Sequence, residues 1–112
     1  MPRSANRTTT RTTIDRMVKR IVAKFQPQQV ILFGSQARGD ARADSDVDLL
    51  VVMDFEGTAF EKGLEIQVAL PDILIPVDVI VTRPEDFAWR KDIVGTIEWL
   101  AAREGKVLYV RS

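Results

Sequence analysis

Three aspartates and a glycine–serine pair are the residues here whose types and spacing could do chemistry. Gly34-Ser35-Gln36-Ala37-Arg38-Gly39 is followed by Ser45-Asp46-Val47-Asp48, so an Asp-x-Asp unit begins eleven residues after Ser35. Along a strand, residues i and i+2 share a face. If Asp46 to Met53 is a strand, the Asp46 and Asp48 carboxylates project from the same side. Bare carboxylates that close repel and raise each other's pKa; a divalent cation between them relieves the repulsion. A third carboxylate, Asp78, interrupts the apolar run Val77 to Val81. A lone charge there is costly unless it is paired or metal-bound. If the two strands are neighbours, three carboxylates converge. Such a cluster suits two magnesium ions bridging a triphosphate and an attacking hydroxyl.

The glycines and the serine supply the other half. Gly34 lets backbone approach a phosphate closely, and a short helix starting at Ser35 offers N–H donors to phosphate oxygens. The Ser35 hydroxyl adds a donor, and Arg38, one helical turn on, offers a guanidinium fork. Each piece alone has a plain structural reading. Gly-Ser is common, Asp-x-Asp occurs in turns, Arg38 on its own suits a surface salt bridge, and Asp78 suits a strand end or an arginine partner. The joint pattern, with its order and spacing, is what points to phosphate chemistry.

The elements that must position these residues follow from periodicity. Ile14, Met17, Val18, Ile21, Val22 and Phe25 recur at helical spacing between charged residues, with Thr12 or Thr13 as a cap and Pro27 as a stop. Residues 1–10 read as a poorly ordered basic arm. Val30 to Phe33 is short, apolar and β-branched, a buried strand. Gln36 to Ser45 reads as a turn or short helix, and Asp46 to Met53 as the second strand. Residues 58–70 suggest a helix that buries Phe60, Leu64, Ile66 and Val68 and exposes Glu61, Lys62 and Glu65. Val77 to Val81 is the third strand. Pro84 opens a helical pattern running through Ile93, Ile97, Trp99 and Leu100 to about Arg103. Gly105 is a stop, and Val107 to Val110 a last short strand. The expected fold is one mixed α/β domain over residues 1–112, with a small central sheet of three or four strands flanked by helices.

Composition narrows the chemistry further. With no Cys and no His, thiolate zinc sites, disulfides, imidazole bases and serine–histidine triads are excluded, and any metal must take oxygen ligands. Net charge is zero, yet residues 1–24 hold seven of the sixteen Arg and Lys and one of the sixteen acids. A basic arm can bind nucleic acid, but no aromatic residues are interleaved for stacking, so a solvated helix face is the preferred reading. There is no signal-type or membrane-spanning apolar run, so a cytoplasmic location without membrane contact is expected.

The segment Gly34 to Gly39, with Ser45-Asp46-Val47-Asp48-Leu49-Leu50-Val51, resembles the signature of the DNA polymerase beta-like nucleotidyltransferase superfamily. Within it, the match is to the minimal nucleotidyltransferase (MNT) proteins of bacteria and archaea, and the likeness extends more weakly from Ile14 to Tyr109. The resemblance implies that Asp46 and Asp48 bridge the metals. It implies that Asp78 binds the catalytic metal and helps activate the acceptor hydroxyl, and that Gly34 and Ser35 hold the triphosphate. Arg38 is a weaker carry-over, and Gln36 stands where arginine is frequent. It further implies an antitoxin that moves AMP from ATP, with magnesium, to a tyrosine of a partner HEPN toxin, in a hetero-oligomer or homo-oligomer. No added acceptor-binding domain is expected in 112 residues, so the acceptor surface is expected from a partner or a second copy. Two rivals remain. One is a binding antitoxin acting by occlusion through Phe55, Phe60, Phe87 or Trp89. The other is a small-molecule nucleotidyltransferase. Further triphosphate contacts from Arg83, Arg90 or Lys91 stay open.

Overall fold

The computed structural model describes residues 7–39, 46–70 and 75–112. The first helix, α1, spans Arg7–Phe25 and buries Ile14, Met17, Val18 and Ile21 on one stripe. It begins earlier than periodicity predicted: Thr12 and Thr13 lie inside it rather than capping it, and the expected arm is helical from Arg7 onward. Residues 1–6 lie outside the described residues. At its end Gln26 turns left-handed at φ 52° ahead of the buried Pro27.

The chain then enters β1, Gln29–Phe33, followed by the short helix α2, Ser35–Arg38. The rest of the turn predicted up to Ser45 falls outside the described residues. Next come β2, Val47–Val52, α3, Ala59–Val68, and β3, Val77–Thr82. The predicted connection through Ile73 and Leu74 also falls outside the described residues. Two helices, α4 (Pro84–Arg90) and α5 (Ile97–Glu104), and the strand β4 (Lys106–Val110) complete the order.

The sheet is four-stranded, in the order β3-β2-β1-β4. β1 is antiparallel to both β2 and β4, whereas β2 and β3 are parallel and joined through α3. This is the mixed, helix-flanked sheet expected from the sequence. Strand alternation splits the core in two. On one face Val30, Leu32, Leu49, Val51, Val79 and Val81 meet α1 and Ile66 of α3. On the other, Ile31, Phe33 and Leu50 meet Ala101, with Leu100 and Phe87 packed against them.

Two expectations are corrected. The helical run after Pro84 is broken: Gly95 takes φ 97° and the Thr96 hydroxyl caps a new helix by accepting from Trp99 N. In α3, Phe60, Leu64 and Val68 face solvent, while Ile66 and Gly63 are buried. The reason is Gly63. A Cβ there would lie 2.8 Å from the Val79 carbonyl, so α3 approaches the edge of β3 through its glycine rather than through its larger apolar residues. Gln67 Nε2 donates to Val77 O at 2.6 Å on the same edge. Thr58 and Glu61 form a reciprocal cap that fixes where α3 begins.

Candidate active site

Strand directions decide which residues meet. β1 ends where its antiparallel neighbour β2 begins, and β3, parallel to β2, begins at that same end of the sheet. Phe33 is therefore paired with Asp48, and Asp48 with Asp78. Gly34 follows Phe33 directly and lies against the Asp48 carboxylate. The glycine–serine turn and two of the three aspartates thus share one end of the sheet, with Asp46 just before β2.

Gly34 has φ 78° and ψ −159°, a region essentially reserved for glycine. A Cβ at this position would fall on Asp48 Oδ2. Both the backbone angle and the contact require glycine. The Gly34 carbonyl accepts from Ala37 N and Arg38 N, which turns the chain at once into α2. Gly39 closes α2 in the left-handed conformation. Ser35 is therefore the first residue of α2.

Asp48 and Asp78 share the sheet face of Phe33 and Leu50, on which Ala101 and Leu100 of α5 pack. Asp46 and Asp78 are exposed and Asp48 is half-buried. Burial pushes the Asp48 carboxyl above its ordinary value; the negative charges of Asp78 and Asp46 push it further, and the Arg38 guanidinium opposes them. Asp46 and Asp78 are thus both close enough to act on Asp48. Among the described residues, however, no three acidic side chains form a ready metal cage. The cluster is open.

Arg38 is also held from outside the motif. Its Nη1 lies 3.5 Å from Oε1 of Glu104 at the end of α5. Sequence reasoning missed Glu104: it stands 66 residues away, and no local spacing signals it. Arg83, considered as a phosphate contact, lies 4.0 Å over the Phe55 ring and donates to Phe55 O. Arg90 pairs with the buried Glu98 at 3.8 Å, and Lys91 with Asp92 at 3.5 Å. None of the three is brought to the carboxylates by a contact of that kind.

The model of the nucleotidyltransferase domain family matches residues 14–100. The chain belongs to the nucleotidyltransferase domain family. The match spans the Gly34-Ser35 turn, all three aspartates and the elements that carry them. A Sulfolobus solfataricus protein assigned as a nucleotidyltransferase is 24% identical, with a TM-score of 0.66 over 94% of this chain and 84% of that one. A toxin–antitoxin structure containing AMP-PNP is 17% identical, with a TM-score of 0.52 over 88% of this chain and 74% of that one. At these identities the two structures show that the fold of the nucleotidyltransferase domain is shared. No curated protein matches the chain. Among the described residues, no helix of the domain is long and apolar enough to cross a membrane.

Proposed function

We propose that this domain transfers AMP from ATP to a hydroxyl of a partner protein and thereby acts as an antitoxin, the partner being a HEPN-type toxin. The observation that carries the transferase part is the pairing of Asp48 with Asp78 in adjacent strands, with Gly34 seated against Asp48. Triphosphate and acceptor must meet over carboxylates, and this is where the sheet gathers them. The protein partner is supported by the resemblance of the motif to MNT proteins and by the fold shared with a toxin–antitoxin component.

The donor set fits magnesium: hard oxygens, mutually repelling, with one carboxyl already pushed toward its neutral form. Asp46, Asp48 and Asp78 would hold the ions, which when bound would neutralise charge on the triphosphate and on the attacking and leaving oxygens. The remaining work falls to the chain's own groups. Gly34 and Ser35 hold the triphosphate through backbone N–H and hydroxyl donors. Arg38, steadied by Glu104, adds a cation beside Asp48. With no histidine in the chain, Asp78 takes the acceptor proton. The acceptor oxygen attacks the α-phosphorus in line, and pyrophosphate leaves with the electron pair of the broken bond.

A labelling assay tests the proposal. The domain is incubated with α-labelled ATP and magnesium, with and without the product of the adjacent reading frame as the candidate toxin, next to an Asp46→Asn/Asp48→Asn variant. Label that moves to the toxin, and is lost in the variant, is the expected result. Exposed Phe60 and Trp89 favour the alternative of neutralisation by occlusion. That alternative wins if the variant still binds and silences the toxin while no nucleotide is transferred by either protein.

A further inference from the structure

The groove between α3 and β3 has Asp78 of the carboxylate cluster in its lining and lies apart from the Gly34-Ser35 turn. It encloses about 340 Å³, and its lining includes Phe60, Gly63, Leu64 and Gln67 from α3 with Asp78 and Ile80 from β3. The outer edge of β3 is not open to strand addition here. Gln67 occupies the Val77 carbonyl, and Gly63 closes on the Val79 carbonyl. What the groove offers is space for side chains. Phe60 is 75% exposed, Leu64 47% and Ile80 39%, an unusual concentration of large apolar residues beside a charged site.

We propose that this groove is the acceptor subsite, seating an apolar side chain of a protein segment so that a hydroxyl of the same segment arrives beside Asp78. The inference rests on the nucleotidyl-transfer reading above. The chemistry of the walls selects the acceptor. A sugar would need polar partners along the groove, and Phe60, Leu64 and Ile80 supply none. A nucleic-acid end would need cations for its phosphates. The exposed flank of α3 instead carries Glu61 and Glu65, with Lys62 paired to Glu65 at 2.9 Å. Together with Asp78 this flank is acidic, so it favours a segment that carries Lys or Arg next to its apolar anchor. In the step itself, the segment's hydroxyl oxygen forms a bond to the α-phosphorus. The bond from the α-phosphorus to the oxygen bridging to the β-phosphate breaks, that oxygen departs with pyrophosphate and the electron pair, and the hydroxyl proton passes to the Asp78 carboxylate.

The test uses synthetic peptides carrying one Ser, Thr or Tyr flanked by Leu and Lys, and a matched set with Leu replaced by Ser and Lys by Asp. Titrated into isotope-labelled full chain, the first set is expected to move the amide resonances of Gly63, Leu64 and Ile80, and the second set is not. Leu64→Glu and Phe60→Glu should weaken peptide binding about 10-fold or more, given the apolar contact each removes. They should lower kcat/KM for label transfer to the peptide by a similar factor and leave ATP binding, read by equilibrium dialysis, unchanged. Both side chains are exposed, so the variants keep their core, and unchanged melting verifies this. Ile80→Lys, from the strand side, should act the same way. The proposal is overturned if no peptide moves the groove resonances, or if none of the three variants weakens binding or transfer. A chain that does not bind ATP would sink the transferase reading instead; the resonance shifts would still decide whether the groove takes the peptide.

Discussion

Gly34→Ala separates the chemistry of the site from its stability most sharply, because the substitution meets two independent costs. The φ of 78° with ψ −159° lies where residues other than glycine pay about 1 to 3 kcal/mol in strain. The added methyl also falls on Asp48 Oδ2 and must displace it, an overlap worth about 1 to 3 kcal/mol more. The sum is roughly 2 to 6 kcal/mol, a large share of the about 5 to 15 kcal/mol that holds a domain folded. Gly95→Ala is the control. It also sits at positive φ, 97°, but its new methyl meets no described atom within 4 Å, so only strain of about 1 to 2 kcal/mol applies. Asp48→Ala completes a double-mutant cycle. With the carboxylate gone, the nearest Asp48 atom is its Cβ at 3.5 Å, an ordinary contact. Urea unfolding of the four proteins should show that about 1 to 3 kcal/mol of the Gly34→Ala cost disappears in the Asp48→Ala background. A coupling below about 0.5 kcal/mol, the usual scatter of additive sites, would refute the claim that Gly34 is required by its contact with Asp48.

Four further outcomes follow from the same contacts. Because the folded state raises the Asp48 carboxyl, it binds that proton more tightly than the unfolded chain does. Stability therefore falls as pH rises from the unfolded value of 3.8 through the folded one, and the loss is complete above both. Asp48→Asn should accordingly raise the neutral-pH melting temperature, with the gain vanishing below about pH 3.8; a gain that persists in acid would contradict it. Single Asp46→Asn, Asp48→Asn and Asp78→Asn variants should each lower nucleotidyl transfer from α-labelled ATP by about 100-fold or more, the scale of losing several kcal/mol of charge stabilisation. Gly63→Ala, whose methyl would sit 2.8 Å from Val79 O, should cost about 1 to 3 kcal/mol in urea unfolding by lifting α3 off β3. Thr82→Val removes a 2.8 Å donor from the buried Glu98, and calorimetry should find a loss of about 1 to 3 kcal/mol.

The sequence made the site more legible than the helices around it. Asp48 shares the face of Leu50 because strands alternate, whereas Asp46 precedes β2, so its expected common face with Asp48 does not follow from the strand. That Asp78 meets Asp48 was conditional on strand adjacency, which a local pattern cannot supply, and the parallel register met the condition for that pair. The exposure of Phe60, Leu64 and Val68 was illegible for a physical reason. Their spacing is that of a buried helical stripe, but α3 meets the β3 backbone along the adjoining line of Gly63 and Gln67, which leaves those side chains beside the contact rather than under it. A glycine in a helix reads as a weak position until its neighbour across space is known. Glu104 beside Arg38, and Glu98 beside Thr82, are likewise pairings between elements apart in the chain that no local spacing signals.

The same topology that makes this site also makes it fragile. Setting the end of β1 against the starts of β2 and β3 places Gly34, Asp48 and Asp78 together, and it half-buries a carboxylate among like charges. A sequence selected for stability alone would put an apolar residue at position 48, beside Phe33 and in line with Leu50. The chain instead keeps the acid and spends a glycine at position 34 to admit it. Local discord of this kind, inside strands that are otherwise consistently apolar, is what function looks like when it opposes folding. The exposed α3 stripe follows the same logic one step out. Phe60 and Leu64 weaken the solubility of a surface that Glu61 and Glu65 maintain, and they do so along the groove that Asp78 also lines, the subsite proposed for the acceptor.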